Sequence, residues 1–184
     1  FVDQVIAIKL SASKPGQLYF SAHLSHPSSM QFTAVQDDTL VMQGTSKDHE
    51  GVKGQVKLAV LTKVMATGGK VSQEKNRVNV NGADSALILI SMATNFVNYQ
   101  DISANAMARA QDYMNRAIAQ FGSTGQEQPS SYEQRRQAHS DFYKKYFDRV
   151  SLNLGKSEFS QEPTDSRIRL FASRHDPELA SLYF

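Results

Sequence analysis

From Val5 to Leu10 the apolar residues Ile6, Ile8 and Leu10 alternate with Val5, Ala7 and Lys9, a two-residue period that predicts a strand with one face more deeply buried. A turn at Lys14-Pro15-Gly16 follows. Leu18, Phe20, Ala22 and Leu24 then share one face against Tyr19, Ser21 and His23, so these first two strands are expected to pair antiparallel. Shorter strands are expected over residues 30–35 and 40–43, joined at Gln36-Asp37-Asp38. A longer strand with Val56, Leu58 and Val60 facing inward should run over residues 55–66 and stop at Gly68-Gly69. Residues 77–80, the dipeptide Asn81-Gly82 and the apolar run 85–94 then carry the pattern of a hairpin, because Asn and Gly tolerate the positive φ that a type I′ turn requires. Short strands bounded by turn residues, recurring about every ten residues, predict an antiparallel sandwich of two sheets. Within it residues 86–90 are apolar on both faces, so that strand belongs in the sheet interior with a layer over each side.

After Asn98 the period changes to 3.6. Ala106, Met107, Ala110, Tyr113, Met114, Ala117, Ile118 and Phe121 follow helical spacing up to Gly122, a C-cap residue. A polar connector, residues 123–128, leads to Pro129. Ser130 with Glu133 reads as a capping box opening a second helix, along which Tyr132, His139, Phe142, Tyr143, Tyr146 and Phe147 recur. The two helices are expected to form a hairpin. Val150, Leu152 and Leu154 alternate as a short strand, Thr164 is placed to cap a third helix, and Asp176-Pro177 sets an N-cap before Pro at the first helical position. The fold class expected is mainly β with helices (α+β): an antiparallel β-sandwich followed by a helical linker.

Composition narrows the partners. The 184 residues hold 20 Lys+Arg against 18 Asp+Glu, a net charge of +2, and neither half is strongly basic: 9 against 7 up to Asn95, 11 against 11 after it. Nucleic acid is not the expected partner. The longest apolar run, residues 86–90, falls far short of the roughly 18 residues of a membrane-spanning helix. With no Cys there are no disulfides, thiolate ligands or Cys nucleophiles. An opening at Phe1 and a close on the uncapped Leu182-Tyr183-Phe184 read as a fragment.

Candidate chemistry is sparse. The chain has no phosphate-cradling Gly loop, no G-x-S-x-G elbow and no H-E-x-x-H. His23, His26 and His49 with Glu50 have ligand chemistry, but a strand, a turn and a polar loop give them no shared geometry, so no metal or cofactor is expected. Asp37-Asp38 is the adjacent carboxylate pair, and its place in a turn favours backbone hydrogen bonding over acid–base work. Arg135-Arg136 and Lys144-Lys145 are interspersed with Glu133, Asp141 and Asp148, the pattern of a solvated helix. From the residues alone, no catalytic, cofactor-binding or metal-binding residue is assigned.

Five collinear stretches carry more. They are His49-Glu50-Gly51-Val52-Lys53-Gly54; Ala93-Thr94-Asn95-Phe96-Val97-Asn98-Tyr99 with Asp101-Ile102-Ser103; Tyr146-Phe147-Asp148-Arg149-Val150-Ser151-Leu152-Asn153-Leu154-Gly155; Pro163-Thr164-Asp165-Ser166-Arg167-Ile168; and Asp176-Pro177-Glu178-Leu179-Ala180-Ser181-Leu182-Tyr183-Phe184. In this order and spacing they resemble glycoside hydrolase family 95, the α-L-fucosidases. The resemblance implies part of an N-terminal β-sandwich of the super-sandwich type over residues 1–98, a helical linker over 99–149, and over 150–184 a short strand and the start of an (α/α)6 catalytic barrel. It further implies an inverting hydrolase of terminal α-1,2-linked L-fucose or L-galactose, a fucosylated oligosaccharide as the whole enzyme's substrate, and a periplasmic or extracellular location. The family's acid and water-activating residues lie later in the barrel, so none maps onto this chain, and the 184 residues are expected to be inactive. The uncovered barrel-facing surface is expected to support a dimer. The readings from other classes are a carbohydrate-binding module using Tyr19 or Tyr99 and a partner-interaction module using the aromatic face of the second helix.

Overall fold

The computed structural model describes residues 4–26, 31–34, 38–121 and 129–183, the side chains of 31–34 and 129–131 excepted. Contacts divide the chain into two bodies, residues 1–135 and 136–184. Eight strands build the first: β1 (Val5–Ser11), β2 (Leu18–His23), β3 (Gln31–Ala34), β4 (Thr39–Thr45), β5 (Lys57–Thr67), β6 (Lys70–Glu74), β7 (Arg77–Ala83) and β8 (Ser85–Thr94). They form a five-stranded sheet in the order β1-β8-β5-β4-β3 and a three-stranded sheet in the order β2-β7-β6, every pairing antiparallel. Helix α1 (Ala106–Phe121) follows, and α2 (Pro129–Phe147) begins in this body.

Strand alternation splits the core into two layers. Leu40, Val64 and Ile88 face Leu18, Phe20, Val78 and Val80 of the small sheet. Their neighbours Val41, Leu61, Leu87 and Leu89 point the other way, onto Ala110, Met114 and Ala117 of α1. The larger sheet is therefore a middle layer, which is why β8 is apolar on both faces and lies between β1 and β5. The expected α+β sandwich followed by helices is observed.

Two pairings differ from the expected ones. β1 pairs with β8 and β2 with β7, so the first two strands lie in different sheets. The turn between them at Lys14-Pro15-Gly16 lifts the chain across, held where Gly16 N–H donates to Asp84 Oδ1 at 2.7 Å and Ala12 N–H to Asp84 O at 3.0 Å. Likewise β7 and β8 form no hairpin, because the chain changes sheets at Asp84. Asn81-Gly82 lies inside β7, where Leu18 faces Ala83 but Phe20 faces Val80, so three steps on β7 answer two on β2. Gly82, at φ +68°, makes the dipeptide a β-bulge. The two-residue turn is Lys75-Asn76, joining β7 to β6, a strand the hydrophobic pattern did not mark. β3 and β4 pair as expected; Met30, Val35, Gln36 and Asp37 lie outside the described residues.

Gly69 turns the end of β5 toward β6 at φ +66°, and a Cβ there would sit 2.5 Å from Asn81 O and 2.6 Å from Ala83 N. Gly69→Ala is expected to lower stability by roughly 3 kcal/mol, combining left-handed strain with a backbone clash. Gly51→Ala, at φ +79° with no atom within 4 Å, should suffer only the strain, about 1 kcal/mol. Urea midpoints of the two variants check the difference.

Helix α1 buries Ala106, Ala110, Met114, Ala117 and Phe121, the face its spacing predicts, and Asn105 caps it by accepting the Ala108 N–H at 2.9 Å. Tyr132 of α2 packs against Phe121, ring centroids 6.5 Å apart. Gly122 and the 123–128 connector lie outside the described residues, as does the Ser130 side chain; α2 starts at Pro129, ahead of the expected box.

The second body holds the rest of α2, α3 (Thr164–Leu170), a 3₁₀ turn (Phe171–Ser173) and α4 (Pro177–Tyr183). Val150, Leu152 and Leu154 form no strand: the segment is exposed, and Leu154 N–H donates instead to Ser181 Oγ at 2.9 Å. Thr164 is the first helical residue of α3 rather than its cap, Pro163 occupying the cap position without a side-chain bond. Asp176 does cap α4, accepting the Leu179 N–H at 3.0 Å ahead of Pro177.

Candidate functional site

The histidines considered as ligands do not form a site. His23 ends β2, His26 lies in the following loop, and His49 belongs to a bridge with Val52 while its ring lies 3.9 Å from exposed Glu50. Among the described residues no three His, Asp or Glu side chains come together as a metal cluster. Asp37 is outside the described residues. Asp38 is committed to structure, its Oδ2 accepting from Lys63 Nζ at 2.7 Å and its Oδ1 from Thr39 Oγ1 at 2.7 Å. On α2 the rings pair one turn apart, Phe142 with Tyr146 at 5.5 Å and Tyr143 with Phe147 at 5.0 Å, and all four are exposed.

A groove of about 630 Å³ lies where the end of β4 and the start of β5 meet the N-terminus of α1, with Gln43, Thr45, Lys57 and Ser103 among its walls. A second hollow of about 390 Å³ shares Gln43 and Met107 with it and is floored by Val41, Leu61 and Met114. Among the described residues no Asp or Glu lines either hollow, so neither brings together a pair of carboxyl groups.

The most elaborated polar arrangement is the passage from β8 to α1. Asn95, 5% exposed, accepts the Lys57 N–H through Oδ1 at 2.8 Å and donates through Nδ2 to Ile102 O at 2.9 Å and Gln55 O at 3.3 Å. Its backbone N–H donates to Lys57 O and its carbonyl accepts from Ala104 N–H. Arg109 Nη1 adds bonds to Thr94 O and Phe96 O. Between these anchors Asn98 and Asp101 exchange backbone hydrogen bonds. The Asp101 carboxyl is held below the usual carboxylate range, first by the Ser103 hydroxyl and then by the Ser103 N–H. The residues pointed at this junction only as one of the five resembling stretches; a polar residue between Thr94 and Phe96 has no periodicity that reveals burial.

In the second body Arg167 forms a clasp. Its Nε and Nη2 bind the two Asp176 oxygens at 2.9 Å each, and Nη2 lies 3.4 Å from Glu178 Oε2. Arg167 and Asp176 are buried. The Arg167 hydrogen bond holds the Asp176 carboxyl well below the usual range; burial opposes this, and Leu179 N–H and the Ser157 hydroxyl add to it. The same bond raises Arg167. Arg174 donates from Nη1 to both Glu162 oxygens, at 3.0 and 2.9 Å, while its guanidinium lies over the Phe159 ring. Both converging carboxylates, Asp176 and Glu178, are thus directed at a guanidinium and serve the packing of α3 with α4.

Both ends of the chain are similar to known protein families. Residues 1–99 match the family described as glycosyl hydrolase family 65, N-terminal domain, and residues 131–184 match the glycosyl hydrolase family 95 catalytic domain. The protein named Alpha-L-fucosidase 2 from Arabidopsis thaliana is 29% identical over 213 residues, covering 99% of this chain and 24% of that relative. The chain therefore spans about a quarter of the length of the curated relative it matches. The match over residues 1–99 spans more than half of the chain, which therefore belongs to the family described as glycosyl hydrolase family 65, N-terminal domain, and the match over residues 131–184 and the fucosidase relative support its similarity to glycoside hydrolase family 95.

Proposed function

We propose that these residues are the scaffold portion of a longer inverting α-L-fucosidase: the sandwich over 1–98, a helical linker over 99–149 and the approach to an (α/α)6 barrel over 150–184, with sandwich and linker packed against that barrel. One observation carries the reading. A family 65-type N-terminal domain and the family 95 catalytic domain match in tandem on one chain that covers a quarter of a relative named as a fucosidase. The substrate would be an oligosaccharide ending in α-1,2-linked L-fucose or L-galactose, met in the periplasm or outside the cell.

Inversion needs one carboxyl acid and one carboxylate base about 6.5–9.5 Å apart, with a water between base and sugar. Asp176 cannot be the acid, because Arg167 keeps it ionised. The resemblance to family 95 puts the reacting groups later in the barrel, and this reading accordingly assigns them to polypeptide outside this chain. The test compares the 184-residue chain with the full-length polypeptide on 2′-fucosyllactose, following the product by NMR. Full-length protein is expected to release fucose first as the β-anomer and the chain alone to release none; turnover by the chain alone overturns the assignment.

Tyr19 and Tyr99 are 64% and 87% exposed, which favours as a second reading a sugar-binding role for the sandwich. Calorimetry with 2′-fucosyllactose decides it: saturable heat lost in Tyr19→Ala or Tyr99→Ala supports binding, and no heat leaves the scaffold reading.

A further inference from the structure

The outward face of the three-stranded sheet holds polar groups that the fold leaves unused. At the bulge Tyr19 of β2 stands opposite Asn81-Gly82 of β7, and a Cβ on Gly82 would lie 3.5 Å from its Oη and 3.9 Å from its Cζ. The glycine thus makes room for the ring to lie across β7, yet Tyr19 is 64% exposed, so the ring keeps a face to water. One step along the sheet, register sets Ser21, Asn79 and Ser72 side by side on three strands. Among the described residues, neither these three side chains nor that of Asn81 is engaged by another group. On α1, by contrast, outward polar side chains bind each other, Gln111 with Asn115 at 2.8 Å and Asp112 with Arg116 at 2.8 Å. Charge stays at the rims, where Lys70 lies beside Asn81 and Arg77 opposite Glu74.

We propose that this face is an accessory glycan site that grips a neutral oligosaccharide by its stem. The C–H side of one pyranose stacks on the Tyr19 ring, and hydroxyls of the next units exchange hydrogen bonds with Asn81, Ser21, Asn79 and Ser72. This rests on the sugar-binding reading of the sandwich and deepens it: the contact falls on Tyr19 and not on Tyr99, and is separate from the fucose that hydrolysis removes. Two observations select the stem. A chain end is enclosed by a concave pocket, whereas this is the open face of a sheet. The rows at Asn81, Asn79 and Arg77 also succeed one another by two residues, so the face extends roughly 14 Å along β7, more than one sugar ring. The uncharged centre, with Arg77 balanced by Glu74 across the strands, suits a neutral chain rather than an acidic one.

Amide-shift titration of the 184-residue chain by NMR tests the site, with lacto-N-tetraose as an unfucosylated stem and 2′-fucosyllactose beside it. Saturable shifts are expected at residues 19–21 and 79–81, with dissociation constants for the two sugars within about threefold of each other. Tyr19→Ala should weaken both about tenfold, Tyr19→Phe should leave them unchanged, and Asn81→Ala, at an exposed position, should weaken both about threefold. The melting temperature of each variant is followed alongside. Lost stability in Tyr19→Ala with no saturable shift in the wild type assigns the ring to shielding Gly82 and overturns the site. Should Tyr19→Ala fail to fold, unchanged affinity in Asn81→Ala overturns it instead. Binding that survives Tyr19→Ala and disappears in Tyr99→Ala overturns the site but keeps the sugar-binding reading; absence of any binding removes both. Binding of 2′-fucosyllactose without lacto-N-tetraose overturns the stem, because the face would then read fucose.

Discussion

Asn95→Ala is expected to lower the stability of the sandwich body by about 3 kcal/mol, more than a typical surface change by several-fold. Truncation strips the Lys57 N–H of its acceptor and the Ile102 and Gln55 carbonyls of their donor. The three bonds are part-buried, so the backbone groups left without partners carry a share of the desolvation cost of an unsatisfied polar group. Asn95→Asp should recover only part of the loss, because it restores the acceptor for Lys57 but neither donor. The urea midpoint measures the stability, and amide exchange at Lys57 and Ala104 localises it. Unchanged exchange at both positions would show that the junction does not depend on this side chain.

Asp176→Ala is expected to melt α4. The substitution removes the Leu179 cap and leaves the buried Arg167 guanidinium without its bidentate partner. Exchange of the α4 amides should quicken about tenfold or more, with far less change in the sandwich. Arg167→Lys should be nearly as damaging, since an ammonium cannot reproduce the paired bonds. The pH dependence follows from the depressed Asp176 value. A carboxylate with a lowered folded-state pKa adds stability that is complete above the unfolded value, about 3.9, and disappears as pH falls through the folded one. The clasp should therefore hold throughout neutral and mildly acidic solution and open only well below pH 4. Opening near pH 6 would mean that another group, not Asp176, controls it.

Legibility in the sequence followed the range of the interactions. The burial face of α1 and the interior place of β8 were readable because each is written in the spacing of neighbouring residues. Strand partners were not. Asn81-Gly82 has the chemistry of a hairpin turn, and the same tolerance of positive φ serves a bulge equally well. Asp84, which carries the chain between sheets, has no periodic signature at all. β6 was hidden by its polar composition, and residues 150–154 alternate like a strand yet have no strand beside them. Asp176-Pro177 was recognised as a cap from local chemistry, but its pairing with Arg167 nine residues away depends on how α3 folds back on α4. The resemblance to glycoside hydrolase family 95 rests on five stretches, one of which contains the Asn95 junction.

The pairing of β1 has a consequence for biosynthesis. Among the described residues, residues 5–11 pair with residues 85–91, so β1 must wait while about eighty more residues are translated, several seconds at about 5–20 residues per second. During that delay Ile6, Ile8 and Leu10 travel as an unpartnered apolar strand, the kind of segment that nascent-chain chaperones shield and that non-local topology makes slow to close. Productive folding of the sandwich is thus gated by the arrival of β8, and a stall in elongation between β1 and β8 should favour aggregation, whereas one after Thr94 should not.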